Sequence, residues 1–341
     1  MLSDNQAQYV DYVTDALIHK AKHNKTSLEK VAKTFGILDQ NNVKELTELA
    51  IVLQARFLAH EPNSSVQQRF DSIVELYKNQ VNLSHRTSQS MLLQQYSTPA
   101  PIAYLMGVFC GIANKGLYLE PSAGNGLLTI TGNPKDFIVN EIEDFRNNNL
   151  QAQDYQQVTQ MDSSVPLPYQ KQFNAILTNP PFGRLRIPYS IKTTTDNFKI
   201  SDLDHAMAIH ALNTLKDTGK GAIIIGGHTT WDEKGRIQAG KNRIFFSYLY
   251  SHYNVMDVIL IDGHKLYSRQ GTAFNVRLIL IDGRKITPSG YAPLFNKNTD
   301  KVIDSFEGLY DRISTYFSSV NDLMDMEAEA LMLELELLQL N

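Results

Sequence analysis

Towards its end the chain carries two β-rich runs, "VMDVILIDG" and "NVRLILIDG", separated only by "HKLYSRQGTAF". A gap that short holds no helical crossover, so these two strands are expected to pair antiparallel. Upstream, "GLYLE", "DFIVNE", "FNAILTN" and "GAIIIGG" alternate with helical stretches, the rhythm of a doubly wound α/β sheet. Together these features predict a mostly parallel sheet over residues 91–288 that ends in an antiparallel hairpin. Few architectures combine the two.

The flanks read differently. Residues 1–90 show no glycine-bounded, β-branched run and predict a helical N-terminal domain without a catalytic constellation. Thr26 and Glu29 in "KTSLEKVAKTF" have capping-box spacing, and "VKELTELAIVLQARFLAH" repeats apolar residues at three- and four-residue intervals. Residues 289–341 form a C-terminal extension that begins as a loop and ends in "VNDLMDMEAEALMLELELLQLN", an acidic helix with a leucine and methionine face that suits docking to a partner. Net charge is −4, but residues 301–341 alone hold nine acids and two bases, so the rest of the chain is mildly basic. The lone Cys110 forms no internal disulfide and sits in an apolar helical run, where a small buried residue is the ordinary reading. No apolar run approaches the roughly 20 residues of a membrane span, and the start lacks a signal-peptide pattern. A cytoplasmic protein is expected, with no membrane association.

Chemistry concentrates at predicted strand ends. "LYLEPSAGNGLLTI" is a strand, an acid, a glycine turn and then an expected helix, with Gly124 allowing close backbone approach to a ligand. It lacks the three-glycine dinucleotide spacing and the P-loop GK[ST]. Glu120 would repel a phosphate and favour a cation, such as the ammonium and sulfonium of S-adenosylmethionine. About twenty residues on, Glu141 ends a second strand, where a carboxylate can take ribose hydroxyls, and Ile142 can pack on an adenine face. Asp162 in "VTQMDSS" closes a third strand. Next comes "ILTNPPFG": two prolines stiffen the exit from a strand and hold Asn179 beside Phe182. If the Asn179 side-chain oxygen and the Pro180 carbonyl accept the N–H bonds of an exocyclic amine, its lone pair is freed from the ring. Phe182 can stack on that ring, so positioning and hydrogen bonding suffice and no metal is needed. In "QQYSTPAPIA", Thr98 is expected to cap a helix with Pro99 at its first position, leaving N–H groups for a carboxylate.

In these motifs and their order the chain resembles class I S-adenosylmethionine-dependent methyltransferases, and within them the DNA adenine-N6 branch that includes type I restriction modification subunits. The resemblance covers about residues 91–285. It implies a Rossmann-like, seven-stranded, mostly parallel sheet with a terminal antiparallel hairpin, and S-adenosyl-L-methionine as cofactor. Tyr96, Thr98, Glu120, Pro121, Ser122, Ala123 and Gly124 would border its methionine part. Glu141 and Ile142 would hold ribose and adenine, Asp162 the adenine amine, and Asn179, Pro180, Pro181 and Phe182 would form the catalytic clamp. Tyr267 or Phe274 is the candidate for a second aromatic at a flipped base.

One part of the pattern is missing. Members that act alone carry a long target-recognition domain, whereas only about 55 residues follow this hairpin. Flipping an adenine from duplex DNA costs a few kcal/mol. A specificity subunit, a longer parent polypeptide or a single-stranded substrate would have to meet that cost. Basic residues do follow strand ends on the catalytic side: Arg184, Arg186 and Lys192 in one loop, and Lys234, Arg236, Lys241 and Arg243 in another. Trp231 in the second is a candidate base platform or loop anchor. The competing readings are a methyltransferase for an RNA base amine or a protein glutamine amide, and a non-catalytic cofactor-binding subunit.

Overall fold

The computed structural model describes residues 2–83, 97–193, 196–270, 273–298 and 300–317. Four helices come first: α1 (Asp4–Ile18), α2 (Lys25–Thr34), α3 (Gln40–Ala59) and α4 (Val66–Asn79). The capping box of α2 lies earlier than expected. Asn24 accepts from the Ser27 N–H while Ser27 Oγ accepts from the Asn24 N–H, both at 2.9 Å. Asparagine caps better than threonine, so the Thr26–Glu29 spacing loses.

Seven strands build the main sheet: β1 (Tyr118–Glu120), β2 (Phe137–Asn140), β3 (Gln157–Thr159), β4 (Phe173–Thr178), β7 (Leu215–Gly226), β8 (Tyr253–Ile261) and β9 (Val276–Arg284). Their order is β3-β2-β1-β4-β7-β9-β8. The pairs β3–β2, β2–β1, β1–β4 and β4–β7 are parallel. β9 runs antiparallel to both its neighbours, with Ile279 opposite Ile223 of β7 and Val258 of β8. The final hairpin is therefore present, and its second strand is wedged inside the sheet. This is a Rossmann-like doubly wound sheet.

Side-chain alternation splits the core between its faces. Ala222, Ile224, Leu278 and Leu280 pack with α3, α4, α5 (Ala100–Cys110) and α10 (Phe306–Ser314). Ile223, Ile225, Ile279 and Ile281 pack with α7 (Leu203–Asn213) and α8 (Lys241–His252) on the other face. Cys110 is buried at the end of α5, as its apolar run implied. The glycine Gly107 lets α5 lie close to the next loop: a Cβ there would sit 1.9 Å from Thr131 Oγ1.

Three local expectations fail. No α-helix follows the glycine turn; the chain makes only a 3-10 turn at Leu127–Thr129. β-branched Thr129, Ile130 and Thr131 run into Gly132 and Pro134, which do not sustain a helix. Helix α5 starts one residue late, with Pro99 in the cap position and no capping side chain, so Thr98 is not its cap. The "GRLRIPYSIK" segment is not a loop but a strand, β5 (Arg184–Lys192), paired antiparallel with β6 (Asn197–Asp202) in a separate two-stranded ribbon. The acidic C-terminal helix falls outside the described residues. Among those described, no helix is long and apolar enough to cross a membrane.

Candidate active site

The strand order reverses beside β1, and a cavity of about 530 Å3 opens at the carboxyl ends of the strands there. That is where ligands sit in open α/β sheets, and the volume falls in the roughly 300–1,000 Å3 range of small-molecule sites. Thr98, Pro121, Ser122, Ala123, Gly124, Glu141, Ile142, Asp162, Asn179 and Pro181 all line it. Five sequence motifs far apart in the chain thus converge. Tyr96 lies outside the described residues.

Glu120 ends β1, is wholly buried and is not among the residues that line the cavity, which it meets only through Ser122. Its Oε1 accepts from the Ser122 N–H at 2.9 Å and from Ser122 Oγ at 3.2 Å, whereas Oε2 is buried without a partner among the described residues. Burial pushes this carboxyl up to about 8, against the hydrogen bonds of Ser122, and the charge of Glu141 adds to the rise. A cation would satisfy Oε2; a phosphate would not. Ser122 Oγ also meets Thr178 Oγ1 at 2.9 Å, tying the end of β1 to that of β4.

Gly124 turns the loop with φ +55, and a Cβ there would meet nothing within 4 Å, so the space above it is open. Its N–H donates to Glu141 Oε2 at 2.9 Å, and the Glu143 N–H donates to Oε1 at 2.9 Å. Burial raises the Glu141 carboxyl, opposed first by the nearby Arg146. Ile142 is 54% exposed at the cavity wall. Asp162 is exposed three residues beyond β3, with Oδ1 accepting from the Ser164 N–H.

Asn179 follows β4. Its Nδ2 donates to Thr98 Oγ1 at 3.0 Å, which fixes the orientation of the amide. This is what Thr98, 3% exposed, does in place of capping the helix. Pro180 and Pro181 bring no N–H to compete nearby. Phe182 is half-buried against the core and does not line the cavity.

Two asparagines that lie within the quoted motifs but were not singled out there organise this end of the sheet. Asn140 reaches the Pro121 and Met161 carbonyls and Ser163 Oγ through Nδ2, and accepts from the Met161 N–H at 2.7 Å through Oδ1. It clamps the loops after β1 and β3 to the end of β2. Asn125 donates to Glu45 Oε2 at 2.7 Å and Glu48 Oε2 at 2.8 Å, both on α3. Glu45 also pairs with Arg146 at 2.7 Å in a buried ion pair. Burial works against the Glu45 charge, but Arg146 outweighs it and holds the carboxyl below its usual range. The helical layer, read from sequence as lacking a catalytic constellation, therefore touches the site loop through these residues. Glutamates inside an apolar helical run were the only available signal.

The predicted basic residues separate into two sets. Arg184 and Arg186 line the cavity mouth and are exposed with Lys192 on the outer side of β5, where Lys199 of β6 joins them opposite Ser190. In the second set, Arg236, Lys241 and Arg243 are engaged by acids. Asp232 takes Arg236 at 3.0 Å and Arg243 at 3.3 Å, and Asp202 takes Lys241 at 2.5 Å. Trp231 is a loop anchor, tilted on Phe295 with Arg277 over its ring. Tyr267 is buried in the core, so of the two candidate aromatics only Phe274, 65% exposed, is accessible. Asp202, Asp204 and His205 lie within metal-ligand spacing of one another, but each is engaged: Asp202 by Lys241, Asp204 by the Gly226 N–H, and His205 by stacking on Phe245.

No protein-family model and no curated protein matches the chain. Solved structures do resemble it. A Listeria monocytogenes protein assigned to the class I S-adenosylmethionine-dependent methyltransferases aligns over 92% of this chain and 98% of its own, at 13% identity and a TM-score of 0.49. A Vibrio vulnificus protein assigned as a type I restriction enzyme modification subunit aligns over 85% and 65%, at 12% identity and 0.45. The M protein of the type I restriction enzyme EcoKI aligns over 92% and 76%, at 14% identity and 0.44. These are distant likenesses. The chemistry of the site rests on its own geometry.

Proposed function

We propose that the chain is an S-adenosylmethionine-dependent methyltransferase acting on the N6 amine of adenine in DNA, with residues 91–288 as its catalytic domain and residues 1–90 as a helical partner layer. The observation that carries this reading is that Asn179 and Pro181 of the Asn-Pro-Pro-Phe loop line the switch-point cavity together with Glu141 and Asp162. The unmatched Oε2 of Glu120, the open turn at Gly124 and the exposed Ile142 fit a cationic nucleoside. When bound, that cofactor supplies an electrophilic methyl group on a sulfonium.

The chain's own residues do the rest. Glu120, behind Ser122, would favour the cationic amino-acid end and Glu141 would take the ribose. Thr98 fixes the Asn179 amide so that its oxygen, with the Pro180 carbonyl, accepts the two N–H bonds of the target amine. That interaction would disfavour delocalisation into the ring and raise nucleophilicity, so that the amine lone pair could take the methyl carbon as its bond to sulfur breaks, a neutral thioether leaving and the amine proton passing to solvent. Phe182 stacks on the base beside the proline-stiffened loop. Arg184, Arg186 and Lys192 meet phosphates, with the rest of the grip on duplex DNA coming from a partner subunit or a single-stranded substrate lacking the need for it.

Transfer of labelled methyl from S-adenosylmethionine to duplex DNA, single-stranded DNA and RNA tests this. N6-methyladenine in DNA, lost in Asn179→Ala, is the expected result. Label in RNA alone would replace the substrate, and no transfer despite cofactor binding would point to an absent subunit.

A further inference from the structure

Helix α3 brings to the cavity a second carboxylate that no sequence motif marks. Glu48 is 1% exposed and lines the cavity. Its Oε2 accepts from Asn125, but its Oε1 is buried with no hydrogen-bond partner among the described residues. An unmatched buried carboxylate oxygen is costly unless a donor meets it. Its neighbour Glu45 has no such need, being paired with Arg146 and bonded to Asn125. Position narrows the choice of donor. Consecutive loop residues are tied to the two acids, Gly124 to Glu141 and Asn125 to Glu48, so both carboxylates flank one turn.

We propose that Glu48 is a further cofactor-binding residue, its Oε1 accepting a hydrogen bond from one ribose hydroxyl of the bound nucleoside while Glu141 accepts from the other. The inference rests on the cofactor assignment above. A vicinal diol offers two donors, and this turn presents two buried acceptors. Because Glu48 belongs to the helical layer, the cofactor would bridge that layer and the sheet instead of lying on the sheet alone.

Calorimetric titration of the full chain with S-adenosylhomocysteine and its 2′-deoxy and 3′-deoxy analogues tests the assignment without turnover. Glu48→Gln keeps an oxygen for Asn125 but loses the second acceptor. It is expected to weaken S-adenosylhomocysteine about tenfold, on the order of 1.4 kcal/mol. For one of the two deoxy analogues, wild type and variant should bind alike, since the hydroxyl in question is gone. Unchanged affinity in Glu48→Gln, or an equal loss for all three ligands, would overturn the role of Glu48. If wild type binds and Glu141→Gln weakens it while Glu48→Gln does not, only the Glu48 assignment falls. If wild type binds none of the three, the cofactor reading falls with it. Should Glu48→Gln unfold, Glu48→Asp retains the charge but withdraws it by one methylene, and the same pattern across the ligands is expected.

Discussion

At the residue scale the site depends on amide and carboxylate groups held in one state by their neighbours. Thr98 Oγ1 takes the Asn179 amide nitrogen, which orients the amide. Asn179→Ala should lower kcat about 10^2–10^3-fold, the scale of losing one preorganised hydrogen-bonding group, with S-adenosylhomocysteine affinity nearly unchanged in calorimetry. Glu120 supplies a pH dependence. Its carboxyl, raised by burial to about 8, is mostly protonated in the free protein at neutral pH. A cationic ligand favours the ionised form, so binding releases a proton, and affinity for S-adenosylmethionine should rise with pH up to about 8 and level off above it. The free protein shows the converse linkage. A carboxyl raised on folding binds more protons in the native state between its ordinary value and about 8, so that share of stability is full at acid pH and is lost across this window. Urea melts of wild type and Glu120→Gln between pH 5 and 8 check this: the wild-type decline should be absent from the variant. Glu120, Gly124 and Asn179 were legible in the sequence because each sits at a strand end, where local pattern announces chemistry. Asn140 and Glu48 were not, because an asparagine or glutamate acquires its task only from loops and helices brought beside it by tertiary packing.

At the scale of elements, the sequence was informative where periodicity is strong and silent where two structures share a composition. The strands and the closing hairpin follow from runs such as "GAIIIGG" and "NVRLILIDG". The ribbon β5–β6 did not, since "GRLRIPYSIK" mixes charges, a proline and β-branched residues, and its alternation emerges only once Tyr189 and Ile191 pack on the core. That packing turns Arg184, Arg186, Ser190 and Lys192 outward. If this face meets nucleic acid phosphates, the double variant Arg184→Ala, Arg186→Ala should weaken binding to DNA and reduce the log–log salt slope by about 2 in fluorescence anisotropy. Arg236→Ala should leave that slope unchanged, because Asp232 already holds this guanidinium. Helix α5 allows a packing test as well. Gly107→Ala would drive a methyl group into Thr131, and thermal or urea unfolding should show a loss of about 1–3 kcal/mol.

At the scale of the whole molecule, the helical layer and the sheet meet through buried charge as well as apolar contact. Arg56 of α3 reaches Thr129, Gln153 and Tyr155, while Glu45 pairs with Arg146. Removing one partner of a buried pair strands the other, so Glu45→Ala should cost about 3–5 kcal/mol in urea unfolding, far more than an exposed pair such as Lys20–Glu75. Composition could not foretell this junction, since it counts the same charges whether they are solvated or sealed between layers. The sheet order carries a consequence for synthesis. β8 is made before β9, yet reaches β7 only through β9, which must slot between them with apolar faces on both sides. While the nascent chain stops short of Val276, β7 and β8 each present an unpaired apolar edge, the kind of template on which chains aggregate. A chain that has made β8 but not β9 therefore leaves these strands open to other chains, and β9 closes that opening when it pairs with both.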